Sequence, residues 1–362
     1  MRLPDPGFWR GRHVFLTGHT GFKGAWAVLL LNRLGARVTG FSLPGQITTP
    51  DLFHAADIAD LCTDLRGDVR DLDALKAQLA GARPDIVLHM AAQAIVRLGL
   101  KDPVDTIDVN VLGVAKMLEA VRQTPGVDVC AIVTSDKCYE NRERIWAYRE
   151  DEAMGGKDPY SASKGAAELI TAAFARSYFA DGPTRVISLR SGNVIGGGDW
   201  AADRLIPDLI RAARDGRPVD IRSPSAVRPW QHVLDPLTGY LLAIEHAASG
   251  PARAFDAWNF GPNPGEELTV RAVVDVVRQY WQGVLDARFA PEDRAAAKQE
   301  EAGLLRVDNT KAKAELGWRP SRNNTETISA SVAWYGAVLA GQSPRDVTER
   351  QLSDLLSLST GA

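Results

Sequence analysis

Cysteine is scarce in this chain: Cys62, Cys130 and Cys138 are an odd number and form no Cys-x-x-Cys pair. That argues against a disulfide framework and a zinc ribbon, and it suits a reducing compartment, the cytoplasm. Long apolar runs are missing too. The longest, around Ala25 to Leu31, falls far short of a membrane span, so no membrane partner is expected. The first ten residues hold two prolines and an aspartate, which does not read as a leader, and a soluble, unprocessed chain is expected. No excess of positive charge exists, the formal net charge being -3. Nucleic acid is therefore not an expected partner, and any anionic ligand must be met by local arginines. Internal repeats, low-complexity linkers and histidine pairs at metal spacing are absent as well, so no metal is expected.

What is present is ordinary globular material in quantity. With 362 residues, 45% hydrophobic and 24% charged, the chain has room for about two domains and a sizeable core. Val14 to Gly24 organises it: an apolar run meets glycines at 18, 21 and 24, followed by the apolar Ala25 to Leu31. This reads as strand, glycine-rich turn and helix, in which glycines let the backbone approach a pyrophosphate at the helix N-terminus. Gly18, Thr20, Gly21, Phe22, Lys23 and Gly24 are the candidate cofactor loop. Lys23 is read either as a phosphate contact or as a partly exposed loop lysine.

Strand and helix then alternate, the pattern of a parallel doubly wound sheet. Ala36 to Leu43 is a strand whose end, Phe41-Ser42-Leu43, offers neither the acid that bonds a ribose 2′-OH nor an arginine for a 2′-phosphate. Lack of the basic residue favours NAD over NADP, with Ser42 at the cofactor edge. Asp68 and Val69 follow, Asp68 read either as an adenine contact or as a helix N-cap before Leu72 to Leu79. Asp85 to His89 is a buried strand leading into Ala91, Ala92 and Gln93, where small residues let the backbone pass the cofactor. His89 itself reads as a core histidine. Pro103 to Arg122 carries Val109, Leu112, Val114, Met117, Leu118 and Val121 at helical spacing and is expected as one long packed helix.

Val129 to Thr134 is the next strand, and it delivers Ser135-Asp136-Lys137 at its carboxyl end, the edge where open α/β sheets bind ligands. The helix Tyr160 to Ala175 begins with Tyr160-Ser161-Ala162-Ser163-Lys164, placing a phenol and an ammonium on one face, one turn apart. A phenol has a reference pKa of about 10, and a neighbouring cation favours its anion. That makes a usable base. Trp146 and Tyr148 are read as pocket or core aromatics.

After the strand Arg185 to Leu189 the rhythm changes. Glycines 196 to 198, arginines 204, 211, 214, 217, 222 and 228, and several prolines mark a less regular region, and Ala257 to Phe260 reads as a strand returning to the sheet. The expected fold is α/β: a Rossmann-type doubly wound parallel sheet with a smaller, discontinuous α/β substrate domain. The cofactor domain is placed at 1–191 with 233–262, the substrate domain at 192–232 with 263–345, and a polar C-terminal tail at 346–362. Arg211 and Arg214 read as a solvated helix face.

These motifs together resemble the extended short-chain dehydrogenase/reductase superfamily. Gly18-His19-Thr20-Gly21-Phe22-Lys23-Gly24, His89-Met90-Ala91-Ala92-Gln93, Thr134-Ser135-Asp136-Lys137-Cys138-Tyr139 and Asp158-Pro159-Tyr160-Ser161 carry the likeness. Gly192-Asn193-Val194-Ile195-Gly196-Gly197-Gly198-Asp199-Trp200 and Arg228-Pro229-Trp230-Gln231-His232-Val233 narrow it to the CDP-glucose 4,6-dehydratases. The likeness runs from about Phe8 to Trp318.

The resemblance implies a bound NAD, CDP-glucose as substrate and a cycle of oxidation, elimination and reduction. It implies that Tyr160 removes the 4-hydroxyl proton, that Lys164 holds the cofactor ribose and lowers the tyrosine pKa, and that Ser135 bonds the 4-oxygen. In the wider family an aspartate and a glutamate serve as acid and base; here Asp136 and Lys137 stand there. Lys137 is expected to take the C5 proton and Asp136 to protonate the leaving 6-hydroxyl. Asn193, Arg204 and Arg228 are implied to hold the nucleotide sugar, Arg228 at the diphosphate. Relatives pair through the long helices, so a homodimer or homotetramer is implied. The competing readings are an NAD-dependent nucleotide-sugar 4-epimerase, which has no use for an acid and base aimed at C5 and C6, and a non-catalytic dinucleotide sensor.

Overall fold

The structure is a computed structural model describing all residues except 47, 222, 252, 267, 282–284, 291–303 and 359–362. Among the described residues, seven short strands form one parallel sheet: β1 (His13–Thr17), β2 (Arg37–Ser42), β3 (Thr63–Arg66), β4 (Ile86–His89), β5 (Val129–Val133), β6 (Arg185–Ser191) and β7 (Asp256–Phe260). Their spatial order is β7-β6-β5-β4-β1-β2-β3. The chain runs outward from β1 to β3, then crosses to β4 on the other side of β1, and this reversal opens a crevice above the carboxyl ends.

Alternation along the strands divides the core. Val14, Leu16, Ile86, Leu88, Val129 and Ala131 face one cluster, while Phe15, Val87, Cys130 and Ile132 face another. This is the period-two pattern of a sheet covered on both sides. Among the helices are α1 (Phe22–Arg33), α2 (Leu72–Ala82), α3 (Gly113–Arg122), α4 (Pro159–Phe174), α5 (Leu205–Asp215), α6 (Leu234–Ser249), α7 (Asn324–Leu339) and α8 (Pro344–Ser357). α2, α3 and α4 contribute to the second cluster; α1 and α6 pack into the first, which continues without a break through α5 and α7. Among the described residues, the region after Gly192 adds three two-stranded sheets, one of them pairing Val219–Ile221 with Ala287–Phe289.

Two expectations need correction. Pro103 to Arg122 is not one regular helix: Pro103–Ile107 and α3 are joined by a π-helical turn at Asp108–Leu112. The extra residue in that turn rotates the face, so Leu112 is exposed while Val114, Met117, Leu118 and Val121 are buried. The stretch expected as a polar tail is helical as far as Ser357. Ser343 caps α8, and its Val347, Thr348, Leu352 and Leu355 are buried, so charged residues on the other face concealed an amphipathic helix. Among the described residues no helix is long and apolar enough to cross a membrane.

Candidate active site

Every residue singled out above as a cofactor, substrate or catalytic candidate lines one cavity of ≈ 900 Å³ above the carboxyl ends of the strands. Its floor begins at the glycine loop. Gly18 has φ +78, and a Cβ there would meet the Ala91 backbone nitrogen at 2.9 Å, so only glycine lets the turn pass the β4 end. The Thr17 hydroxyl fixes that junction: it accepts from the amides of Met90 and Ala91 and contacts His89 Nδ1 at 2.8 Å. With both N–H groups donated to it, the hydroxyl donates to His89. Burial pushes His89 down to about 3, so it is a neutral core histidine.

At the β2 end, Ser42 Oγ contacts His19 Nδ1 at 2.9 Å, and His19 Nε2 contacts Asp64 at 2.8 Å. Asp68 is not the N-cap of α2; Asp71 accepts from Ala74 N there. The Asp68 carboxylate instead holds Arg70, which also pairs with Asp105, and these bonds keep Asp68 below its ordinary range. Lys23 turns inward, donating to Ser191 Oγ and Tyr240 Oη at 3.2 Å each. Burial, with Lys164 and Arg204 adding repulsion, pushes it down to about 7.

The centre is built from three elements. A short 3-10 turn, Asp136–Cys138, follows β5 because Ser135 caps it, accepting from Lys137 N. Ser135 Oγ donates to Asp136 Oδ1 at 2.9 Å, and Tyr160 borders the same cavity. Asp136 is fully buried, with Oδ2 unpartnered among the described residues. It fits only because residue 192 is glycine: a Cβ there would sit 1.8 Å from Oδ2. α4 starts at an Asp158 cap with proline at its first turn, which aims Tyr160 and Lys164 at this cluster.

Burial pushes Tyr160 up to about 12, opposed first by the Ser135 hydroxyl and also by Arg204. Arg204, at the start of α5, thus brings a further cation to the phenol, while Lys164 stands one turn along α4. Burial pushes Lys164 down to about 8, and Glu168, one turn along α4, resists that fall. Asn193 holds φ +48 in the loop after β6, a conformation asparagine tolerates. Trp146 and Tyr148 do not line the cavity: Trp146 is exposed and Tyr148 stacks on Tyr139, rings 5.2 Å apart. Arg211 is not merely solvated; it donates to the carbonyls of Trp200 and Ala201. Arg214 pairs with Asp215 on the surface, and Arg222 lies outside the described residues.

Sequence reasoning missed several supports. Asn110, in the π turn, joins Gln93 N and O to Ser163 Oγ, tying the β4 end to α4. Nothing local in the sequence marks it. Glu168 had a signal, its four-residue spacing from Lys164, but no partner was visible.

The chain matches the family model "NAD dependent epimerase/dehydratase family" over residues 14–261. It is 42% identical to a CDP-glucose 4,6-dehydratase of Salmonella typhimurium over 98% of this chain and 99% of that protein. A dTDP-glucose 4,6-dehydratase of Streptomyces griseus is 29% identical over 89% of this chain and 94% of that one. Among solved structures, the UDP-glucose 4-epimerase of Thermus thermophilus in complex with NAD superposes with a TM-score of 0.75 at 26% identity, covering 90% of this chain and 99% of that one.

Proposed function

This chain belongs to the NAD dependent epimerase/dehydratase family, and we propose that it converts CDP-D-glucose to CDP-4-dehydro-6-deoxy-D-glucose with loss of water, a step toward deoxysugars. The observation that carries this reading is Asp136-Lys137 at the β5 end, beside Ser135 and Tyr160 in one cavity. A 4-epimerase has no task for that acid and base. The cofactor is NAD. The cavity fits it: the glycine turn that a Cβ at Gly18 would fill, the first turn of α1 and the buried Thr20 hydroxyl, unpartnered among the described residues, all border it.

NAD, held by the glycine loop from Gly18 to Gly24 and by Lys164, would supply reversible hydride transfer between C4 and C6 of the sugar. Tyr160 takes the 4-hydroxyl proton, and Ser135, held by Asp136, bonds the 4-oxygen. Lys164 stays largely protonated at neutral pH and serves the cofactor ribose. The 4-ketone acidifies C5; Lys137 removes that proton while Asp136 serves as the acid toward the departing 6-oxygen, and Lys137 gives the proton back to C5 as the hydride reaches C6. Arg204, Arg228 and Asn193 hold the nucleotide sugar.

The exposed Val104, Ile107, Leu112, Leu169 and Tyr178 lie on and beside the two helical segments Pro103 to Arg122 and Pro159 to Phe179. Such a patch supports a homodimer, or a tetramer built from it. The free cysteines suit the cytoplasm.

The test is to mix the protein with CDP-, dTDP-, UDP- and GDP-hexoses, with and without NAD, and weigh the products. Loss of one water from CDP-glucose is the expected result. An isomerised sugar at unchanged mass would replace this reading by the epimerase.

A further inference from the structure

Beneath the catalytic cluster lies a charged network that none of the roles above uses. Glu168 and Arg190 form an ion pair at 2.8 Å with both side chains 2% exposed. Breaking such a pair on one side alone is costly, because it strands a buried charge. Glu168 also accepts hydrogen bonds from the hydroxyls of Thr134 and Ser188. Each partner sits next to the active site: Thr134 directly precedes Ser135, Ser188 lies on β6, and Arg190 precedes Ser191 and Gly192. One carboxylate thereby joins α4, which carries Tyr160 and Lys164, to the two strand ends that carry the rest.

Lys164 is the nearest functional cation on the same helix, four residues before Glu168 and on the same face. The groups facing it decide what holds its charge. Within α4 these are Tyr160 and Glu168; from the turn after β5, Cys138; from β4, His89; from α1, Lys23. Burial keeps the Cys138 thiol protonated and His89 neutral, and Lys23 is repulsive when charged. Of these groups only Glu168 brings a negative charge, which Arg190, 2.8 Å from its Oε2, offsets in part. It meets Lys164 through space, since its hydrogen bonds go to Thr134, Ser188 and Arg190.

We propose that Glu168 is a positioning residue which, clamped by Thr134, Ser188 and Arg190, acts as the buried counter-charge that keeps Lys164 protonated at working pH. The inference rests on Lys164 serving the reaction proposed above, but its first readout does not need that reaction. The Cε resonance of Lys164, identified by its loss in Lys164→Arg, is titrated by carbon NMR in isotopically labelled protein. In the wild type the midpoint is expected near the value of about 8 set by burial against Glu168. In Glu168→Gln it should fall by about one unit or more, as for removal of an opposite charge one turn away in a buried site. Glu168→Asp, which keeps the charge, should stay within about 0.3 unit of wild type.

Should Glu168→Gln fail to fold because Arg190 is stranded, the double variant Glu168→Gln/Arg190→Met is compared with Arg190→Met, so that only the Glu168 charge differs between the two and the same fall in midpoint is expected. A folded Gln variant whose Lys164 midpoint is unchanged would overturn the proposal and leave Glu168 a structural brace. A second readout is the alkaline limb of the kcat profile with the turned-over nucleotide sugar, which should shift by the same amount. If no sugar is dehydrated but the NMR midpoint moves, the counter-charge stands and only the dehydratase reading falls.

Discussion

Gly192→Ala is the sharpest single perturbation this site offers. The added methyl would lie 1.8 Å from Asp136 Oδ2, 1.9 Å from Cγ and 2.3 Å from Oδ1, whereas real Cβ contacts essentially never fall below 3.0 Å. The carboxyl group must therefore move by more than an ångström, and it has little room, being fully buried and bonded to Ser135 at 2.9 Å. A displacement of that size at a reacting group costs about 10²-fold, and general acid catalysis as a whole contributes roughly 10²–10⁴-fold. The expected fall in water loss is thus about 10²-fold or more. Tyr160 and the glycine loop are untouched, and only Ser135 is disturbed through Asp136, so C4 oxidation should fall far less than water loss. Rapid mixing with CDP-glucose should then show reduced nicotinamide building up, by its absorbance, while mass spectrometry shows little dehydrated product. A folded variant that loses water at the wild-type rate would refute the placement of Asp136 as the acid. Equal loss of both steps would refute the division of labour between Asp136 and Tyr160.

Other outcomes follow from the same geometry. Tyr160→Phe removes the base while keeping the ring's packing, so NAD binding should persist and turnover should fall by about 10²–10⁴-fold, read as loss of reduced-cofactor formation in a single turnover. Leu169→Arg places a charge on the exposed apolar patch of α4 and should convert the assembly to monomers in a sedimentation experiment without lowering the melting temperature of the isolated subunit. Asp235 is pushed by burial up to about 6 from 3.8, against hydrogen bonds from Ser321. A carboxyl with a raised folded pKa contributes stability in full below pH 3.8, and that contribution is lost as pH climbs through 6. Asp235→Asn keeps the Oδ1 acceptor and has no charge to bury, so its stability should stay flat where the wild type loses roughly 3 kcal/mol, as thermal melts at either end of that window will show. Parallel curves for the two proteins would reject the buried charge.

Local chemistry made much of this protein legible in its sequence. The strand runs, the glycine turn and the Tyr160–Lys164 spacing are short-range features, because a helix face or a strand edge is set by residues within a few positions of one another. The seven-stranded parallel sheet and the convergence of the candidate residues on its carboxyl edge follow from that pattern, given the order in which doubly wound sheets are built. α8 was misread because its charged face outweighs four buried positions, and the π turn because a helical register shift leaves apolar spacing nearly intact.

What only the tertiary structure decided concerns groups far apart in the chain. Gly192 is required by Asp136, Arg190 is neutralised by Glu168, and Lys23 ends between Ser191 and Tyr240. Each depends on burial and on a partner's distance. Desolvation, which moves Lys164, Tyr160 and Lys23 from their ordinary pKa values, is a property of surrounding volume, and volume is created only when distant segments pack.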